Sequence, residues 1–362
     1  MEFKSQKTVL DTLLSKVNPI IPTRSTLPTL LNVLLEAKKN KLYVSATDLE
    51  TSVTAIGGIE TQKDGGIALN GKDLYNITRE LPLSDFDFRI DNLLATIQCE
   101  KGKFSMSGVA MDEYPTLMEV DKSRKLTIPY TLFQRAIDKT LFATASTDTE
   151  GPLGGVLLDL HQNEFRLVAT DGHKLAMYKK KIDTDKIARL LVASKVWREV
   201  AKFSSGVEIA FEENKIGFYG EDILIVSRLL EREFPPYESV IPTENNKILS
   251  VSKEALSLVL RRVLVFAPEI SRFVKFIISP DSITIETNSE TGEAKEEVPC
   301  KYDADKLEVA YNGSYLLSIM SKIDGDEVKF LFKDHESAAL ISPIEQQENE
   351  EILYLLMPIR LE

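Results

Sequence analysis

The amino-acid sequence predicts an α+β protein made of three copies of one unit, each with two helices packed on an antiparallel sheet. The first observation is length, because 362 residues exceed the roughly 250–300 residues at which a single hydrophobic core stops growing. The second is a strand-turn-strand pattern that occurs three times, at offsets of 123 and 118 residues. The third is a pair of amphipathic helical patterns that recurs at nearly the same interval. Together they indicate a whole domain repeated three times.

The repeated strand pattern is a β-hairpin. Residues 33–48 (VLLEAKKNKLYVSATD) align without a gap under residues 156–171 (VLLDLHQNEFRLVATD), and the two copies carry Asn40 and Asn163 at the turn. Residues 274–288 (VKFIISPDSITIETN) are a more diverged third copy. Apolar residues alternate on either side of the polar turn, as two antiparallel strands require.

Each copy contains two predicted helices, one before the hairpin and one after it. In the first helix of the chain, Val9, Leu10 and Leu13 share one face at the helical period, opposite Thr8. The same spacing predicts helices over residues 4–17, 71–81, 129–143, 190–203, 251–266 and 312–323.

Further strand-like stretches close each copy, at residues 104–109, 222–229 and 337–341. We therefore predict three domains, at residues 1–122, 123–246 and 247–362. A head-to-tail array of similar units closes into a ring when its rotation divides the circle. If each unit turned the chain by about 60°, two chains of three units would complete one ring.

Composition and terminal sequence favour a cytoplasmic globular protein. The chain is 43% hydrophobic and 28% charged, and no apolar run approaches the roughly 18–20 residues that cross a bilayer. Asp11 and Ser15 interrupt the N-terminal stretch where a secretory signal needs an unbroken apolar core. Cys99 and Cys300 are far apart and have no metal-ligand spacing, which fits a reducing compartment. We expect neither a metal nor a cofactor.

The charge is unevenly distributed. The net charge of −12 argues against a protein coated with basic residues. The six predicted helices nevertheless carry 14 Lys and Arg against 6 Asp and Glu, whereas the rest of the chain carries 30 against 50. If the helices share one side, that side suits sequence-independent contact with phosphates. The alternative is that the helix surfaces are lysine-rich only for solubility.

Two functions are alternatives to a protein that contacts nucleic-acid phosphates. One is a hydrolase, and the other is a scaffold of repeated domains that does not bind DNA. His173 and Asp171 resemble a catalytic base and the carboxylate that orients it. Ser146 and Ser194, however, lack the sequence context of a nucleophile. The glycine cluster at residues 151–155 lacks the Lys-Ser/Thr pair of a phosphate-binding loop. These observations favour a protein without catalysis.

The last apolar segment, residues 353–361 (LYLLMPIRL), allows two interpretations. One is a buried core strand. The other is an apolar groove that accepts a short peptide, lined by Met357, Pro358 and Ile359, since methionine adapts to several partners.

Four motifs, spread along the chain, resemble those of the bacterial sliding clamps, the beta subunits of DNA polymerase III. They are STLPTLLNVLLEA at 25–37, ATDGHKLA at 169–176, FPPYESVIP at 234–242 and YLLMPIRL at 354–361. The resemblance covers the whole chain, including its length and its threefold repeat.

The resemblance implies a non-catalytic processivity factor for DNA replication. Members of the family are head-to-tail homodimers whose six domains form a closed ring around duplex DNA, with helices lining the hole. Loose contact with backbone phosphates is what sliding requires, because phosphates look alike at every register. The implied partners are the polymerase catalytic subunit, the clamp loader and repair proteins, which bind through short peptides. No cofactor and no membrane are implied.

The resemblance places the partner-peptide groove between the second and third domains. It comprises Leu153, Thr170, Gly172, His173, Lys174, Leu175, Pro235, Val240, Asn312, Tyr315, Leu355, Met357, Pro358, Ile359, Arg360 and Leu361. Asn312 also has the sequence position of an N-cap for the last helix.

Three residues depart from the family pattern. Lys174 stands where the family often has arginine, which removes the planar fork of a guanidinium. Ser239 stands where a basic residue is common, and Glu362 follows the usual terminal leucine. The preference for partner peptides is therefore expected to differ.

The resemblance and the helix positions also predict a DNA-facing set and a dimer seam. The DNA-facing set comprises Arg24, Lys7, Lys16, Lys72, Arg79, Arg135, Lys139, Lys195, Arg198, Lys202, Lys253 and Arg261. At the seam, Ile77, Phe104 and Met106 of the first domain are expected to meet Val265 and Phe266 of the partner's third domain.

Overall fold

The protein is described here by a computed structural model, which covers residues 1–121, 125–145, 151–204, 206–290 and 292–361. It confirms the α+β class. One order of elements occurs three times along the chain: a strand, a helix, four strands, a second helix and three strands. The first copy has one additional strand, and a short helix follows the second copy. The predicted boundary after residue 122 lies outside the described residues.

The bounds of the elements follow the repeat. The first copy holds β1 (Glu2–Gln6), α1 (Lys7–Val17), β2 (Asn32–Lys38), β3 (Lys41–Thr47), β4 (Thr51–Gly58), β5 (Glu60–Lys63), β6 (Gly65–Asn70), α2 (Gly71–Glu80), β7 (Asp85–Asp91), β8 (Leu94–Cys99) and β9 (Gly102–Ser107). The second holds β10 (Lys125–Ile128), α3 (Tyr130–Thr140), β11 (Gly155–His161), β12 (Glu164–Thr170), β13 (Lys174–Lys181), β14 (Ala188–Ala193), α4 (Ser194–Val200), β15 (Val207–Phe211), β16 (Lys215–Tyr219), β17 (Ile223–Arg228) and the short α5 (Tyr237–Val240). The third holds β18 (Lys247–Ser252), α6 (Lys253–Val263), β19 (Phe273–Ile278), β20 (Ser282–Ser289), β21 (Gly292–Tyr302), β22 (Leu307–Asn312), α7 (Gly313–Met320), β23 (Glu327–Phe332), β24 (Ala339–Pro343) and β25 (Glu350–Leu356).

The chain divides into two compact units that do not coincide with single repeats. The first unit contains Met1–Phe133 and Arg198–Leu229, and the second contains Gln134–Trp197 and Leu230–Glu362. The division cuts across the repeats because strands of neighbouring copies pair with each other inside each unit.

The first unit contains two sheets. One has the strand order β5-β1-β7-β8-β9, and the other β10-β15-β16-β17-β4-β3-β2-β6. The second sheet is continuous across the repeat boundary, because β17 pairs antiparallel with β4. Helix α1 lies on β4 at Gly57, where a side chain would come within 3.0 Å of Val9 and Leu13. The small residue permits this close approach of helix and sheet.

The second unit is built on a twelve-stranded sheet with the order β14-β11-β12-β13-β25-β24-β23-β18-β21-β20-β19-β22. The second and third repeats join where β13 pairs with β25, from Lys174 opposite Leu356 to Lys180 opposite Glu350. All three predicted hairpins are present as β2–β3, β11–β12 and β19–β20.

The six predicted helices are present, but α1 and α4 begin three and four residues later than predicted. Residues 4–6 belong to β1, because Phe3 is buried against Phe86 and Phe88 and the strand pairs with both β5 and β7. Residues 190–193 belong to β14, which pairs with β11. The short apolar run LLVA at 190–193 fits either period, and in both segments the pairing partner decides the structure.

The C-terminal strand is also displaced from its prediction. It covers Glu350–Leu356 rather than residues 353–361, and its last residues precede Pro358, which has no N–H to donate to a ladder. Among the described residues, no helix combines the length and apolar character needed to cross a membrane.

Candidate functional site

The turn between β12 and β13 is closed by its own side chains. Gly172 has φ +88°, a left-handed conformation that favours glycine. The Asp171 carboxylate accepts hydrogen bonds of 2.9 Å from the backbone N–H groups of His173 and Lys174. The Thr170 hydroxyl donates to the Lys174 carbonyl at 2.7 Å and accepts from the Gly172 N–H at 3.0 Å. The sequence ATDGHK thus forms a turn of fixed shape.

Lys174 is directed into the protein rather than towards solvent. Its side chain is buried, and its ammonium group donates to the Asp171 carboxylate. The Nζ atom also lies 4.2 Å from the centre of the Tyr315 ring, which is a cation–π distance. Lys174 therefore connects the turn of the second repeat to α7 of the third.

His173 presents its ring at the surface of the same turn. The ring stacks on Tyr315 with centroids 6.2 Å apart and an interplanar angle of 24°. Both Asp171 oxygens are taken by backbone N–H groups and Lys174, so the carboxylate does not orient the imidazole as a hydrolase would require. Ser194 is buried at the start of α4, and Ser146 lies outside the described residues. The structure thus does not support the hydrolase alternative.

The C-terminal segment lies beside this turn. The Met357 N–H donates to the His173 carbonyl at 2.9 Å, and the Ile359 N–H donates to the Ala310 carbonyl at 2.8 Å. Met357 and Arg360 are exposed, while Pro358, Ile359 and Leu361 are half-buried. The segment is therefore fixed to both the second and the third repeats, and Glu362 lies outside the described residues.

An apolar cluster supports the turn and the C-terminal strand from below. Leu175 and Leu355 are buried in it together with Phe234 and Tyr237. Leu175 and Leu355, both predicted to line the groove, are buried members of this cluster. Val240 in α5 is exposed.

The remaining predicted groove residues lie on neighbouring elements of the same unit. Leu153 and Pro235 are half-buried, Thr170 is buried and Gly172 is exposed. The Asn312 side chain accepts hydrogen bonds from the N–H groups of Ser314 and Tyr315 at 3.0 and 3.2 Å, which confirms it as the N-cap of α7.

Most of the predicted DNA-facing residues have side chains that reach solvent. The exposed ones are Arg24, Lys72, Arg79, Arg198, Lys202 and Arg261, and the half-buried ones are Lys7, Lys16, Lys195 and Lys253. Several are engaged: Lys16 pairs with Asp222, Lys202 with Glu199, and Lys253 donates to the Ile323 carbonyl.

Two members of that set are withdrawn. Arg135 donates to Glu350 at 2.7 and 2.8 Å and to Asp324 at 2.6 Å. Lys139 is buried and donates to Asp324 at 2.6 Å. Neither is available to a phosphate, because both are occupied by carboxylates of the third repeat. Sequence reasoning missed this network, since helix position shows that a residue is basic but not which carboxylate faces it.

The predicted seam residues lie at sheet edges and a helix end. Phe104 is 38% exposed on β9, an edge strand that pairs with β8, and Met106 and Ile77 are half-buried. Val265 and Phe266 follow α6 and are 74% and 38% exposed. Single-sided edges with exposed apolar residues are typical of strands that pair with another chain.

Comparisons with known proteins match this geometry over the whole chain. Three family profiles match, described as the DNA polymerase III beta subunit N-terminal domain (residues 1–118), central domain (127–236) and C-terminal domain (238–360). The beta sliding clamp of Pseudomonas aeruginosa is 30% identical over 370 residues, covering 100% of both chains. That of Caulobacter vibrioides is 29% identical over 376 residues, also covering 100% of both.

Solved structures give the same result. A sliding clamp of P. aeruginosa bound to griselimycin has a TM-score of 0.94 at 29% identity, covering 100% of both chains. One of Bartonella birtlesii, also bound to griselimycin, has a TM-score of 0.95 at 27% identity, with 100% of both chains covered. A C. crescentus beta sliding clamp, with PEG at a proposed beta-motif tethering region, has a TM-score of 0.93 at 28% identity and the same coverage.

Proposed function

The chain belongs to the DNA polymerase III beta subunit family, the bacterial sliding clamps, and from this premise we propose that two copies join head to tail in a ring around duplex DNA. The chain is a non-catalytic processivity factor that tethers the polymerase to its template. We place it in the cytoplasm and set its domains at residues 1–122, 123–246 and 247–362.

The observation that carries the dimer is a pair of strand edges that, within the described part of the chain, face no strand of their own sheet. The outer edge of β9 is one. The other belongs to β21, whose Gly292–Pro299 stretch pairs with β20, whereas its pairing with β18 is confined to Cys300–Tyr302. Phe266 lies beside the start of β21, 3.2 Å from where a side chain at Gly292 would be. Edge-to-edge pairing of β9 with the partner's β21 would bury Phe104 and Phe266 together.

Contact with DNA is assigned to the exposed cations of the helices and adjoining loops. Arg24, Lys72 and Arg198 are exposed and belong to one compact unit. Guanidinium and ammonium groups at these positions would neutralise phosphates without reading base sequence. Such contacts hold DNA loosely enough for the protein to slide.

Removing these three charges together is expected to flatten the salt dependence of binding. Each phosphate contact contributes about 0.9 to the slope of log K against log salt concentration, so the Arg24→Ala, Lys72→Ala, Arg198→Ala variant should lose about 2.7. The slope is measured by fluorescence anisotropy with a labelled duplex.

A charge-matched control replaces Lys38, Lys63 and Lys301, which are exposed on or beside strands. This variant should keep the wild-type slope. An equal loss of slope in the two triple variants would contradict the assignment of DNA contact to the helix and loop cations.

The partner peptide is assigned to the surface formed by the turn at His173, the segment Met357–Leu361, Tyr315 and Val240. It offers apolar side chains and a rim of polar groups, which suits an extended peptide with apolar anchors. Polymerase, clamp loader and repair proteins would compete for it. We infer that griselimycin, which is bound to two of the related clamps, occupies this surface, and it serves as the probe.

Replacing Lys174 by methionine is expected to weaken griselimycin binding about fivefold. The variant loses the Asp171 ion pair and a cation–π contact of about 1 kcal/mol, so only the stacking of His173 still connects the turn to Tyr315. Binding is measured by isothermal titration.

The matched control is Lys333→Met, which removes an exposed lysine paired with Glu244. It should bind griselimycin as the wild type does. Unchanged affinity in the Lys174 variant would contradict the positioning role of that side chain.

A further inference from the structure

A buried carboxylate in the second repeat has few partners. Asp159 on β11 has a side chain that is 0% exposed. Its Oδ2 accepts a hydrogen bond of 2.8 Å from the Tyr237 hydroxyl, and within the described residues its Oδ1 has no hydrogen-bond partner. An ionised carboxylate offers about four acceptor sites, and a buried one that is under-satisfied is costly. The position is therefore suited to a further cationic ligand.

His161, two residues on at the end of the same strand, supplies a second donor atom. Its Nε2 atom is shielded from solvent and lies 3.2 Å from Asp159 Oδ2, yet among the described atoms it has no hydrogen-bond partner. Two ligands of one tetrahedral zinc ion, each bound at about 2.0–2.2 Å, are separated by about 3.4 Å. The observed separation fits two ligands of one ion.

Glu238 completes a group of three. A carboxylate oxygen of Glu238, the Asp159 carboxylate and a His161 nitrogen all lie within 4.8 Å of one another. Glu238 belongs to α5, whereas the other two residues belong to β11, so the group joins two separate elements of the second compact unit.

Two arginines lie close to the carboxylates of this group and would compete with a metal ion for them. Arg189 lies 4.0 Å from Asp159 Oδ2 and 3.6 Å from Glu238, with its side chain about half exposed. Arg166 lies 3.8 Å from Glu238, but it donates to Glu164 and to the Tyr237 hydroxyl. The Arg189 guanidinium carbon also lies 5.7 Å from the centre of the Tyr237 ring. Because the side chain is about half exposed and its ion pairs are 3.6 and 4.0 Å long, Arg189 can move into solvent when a divalent cation takes its place.

We propose that Asp159, His161 and Glu238 form a binding site for a divalent transition metal of the zinc class, with water in the fourth position. One imidazole nitrogen and two carboxylate oxygens are a zinc-type ligand set, whereas Mg²⁺ requires six oxygen ligands. The ion would fasten α5, which also carries Val240 of the proposed groove, to β11.

The test is isothermal titration of ZnSO4 into full-length protein that has been treated with EDTA. The wild type should bind one ion per chain, and MgCl2 in excess should not compete. His161→Ala and Glu238→Gln should each weaken zinc binding by at least about tenfold. His335→Ala, which removes an exposed histidine of the third repeat, should leave it unchanged.

Folding of each variant is checked by the fluorescence of Trp197, the only tryptophan of the chain, which is buried in the same unit. Glu238→Gln changes a half-exposed side chain and is expected to fold normally. The proposal would be overturned if the wild type did not bind zinc. It would also be overturned if the folded His161→Ala and Glu238→Gln proteins bound zinc as tightly as the wild type does.

Discussion

Replacing Arg135 by methionine is expected to destabilise the second compact unit by about 3 kcal/mol. The change leaves Glu350, whose side chain is 1% exposed, without its cationic partner, and an uncompensated buried charge costs about 3–5 kcal/mol. The lower end applies because Arg135 is 25% exposed and water screens part of the interaction. The Tyr178 hydroxyl, 2.8 Å from Glu350, cannot replace a full positive charge.

Urea unfolding followed by the fluorescence of Trp197 measures this effect in the unit that contains the network. The matched control is Arg89→Met, which breaks an exposed ion pair with Glu2 in the other unit and should leave the unfolding midpoint close to that of the wild type. Equal midpoints for the wild type and the Arg135 variant would contradict the role of the network.

The same network predicts how stability depends on pH. Burial raises the pKa of Glu350, but hydrogen bonds from Arg135 and Tyr178 outweigh it and hold that pKa below its usual range. Lys139 and Arg135 likewise hold the pKa of Asp324 below its usual value against the effect of burial. A depressed folded-state pKa stabilises the protein above the unfolded pKa, and this stability is lost as pH falls through the folded value. Acidification below about pH 4.3 should therefore destabilise the wild type more than the Arg135 variant.

Charged replacements at the proposed seam are expected to convert the dimer to monomers. Phe104→Glu and Phe266→Glu place carboxylates where two apolar edges would meet, and each should cost about 2 kcal/mol of association energy. Together they weaken each of the two seams of the ring by about 4 kcal/mol, which is roughly a thousandfold per seam. Sedimentation velocity over a range of concentrations measures the change.

The control introduces the same charges at Leu49 and Ile187, which are exposed apolar residues outside the proposed seam. That protein should sediment as the wild-type dimer does. A stable dimer in the Phe104 and Phe266 double variant would refute this placement of the seam.

The repeat was predictable from sequence because hairpins leave a strong local signal. The Asn40 and Asn163 turns, both with positive φ, separate alternating apolar residues, and each hairpin formed as expected. Helix positions were equally clear wherever an apolar face recurred at the helical period. Asn312, whose side chain type favours N-caps, was identified for the same local reason.

Properties that depend on distant partners were not predictable. Residues 190–193 are a strand because β11 pairs with them, and nothing local to LLVA reveals that partner. Lys139 and Lys174 are basic residues that sequence reasoning placed towards DNA or a peptide, yet both are buried against carboxylates. Asp159, a charged residue within the apolar strand VLLDLH, was the available sign of a buried polar site.

A protein that encircles DNA as a closed ring is held by topology, and cutting a circular DNA tests this most directly. Labelled protein is placed on nicked circular DNA by its clamp loader and ATP, free protein is removed by gel filtration, and the circle is then cut once with a restriction enzyme. The ring predicts retention on the circle and release after linearisation, because sliding carries the protein off a free end. Equal retention on circular and linear DNA, or none on either, would contradict it.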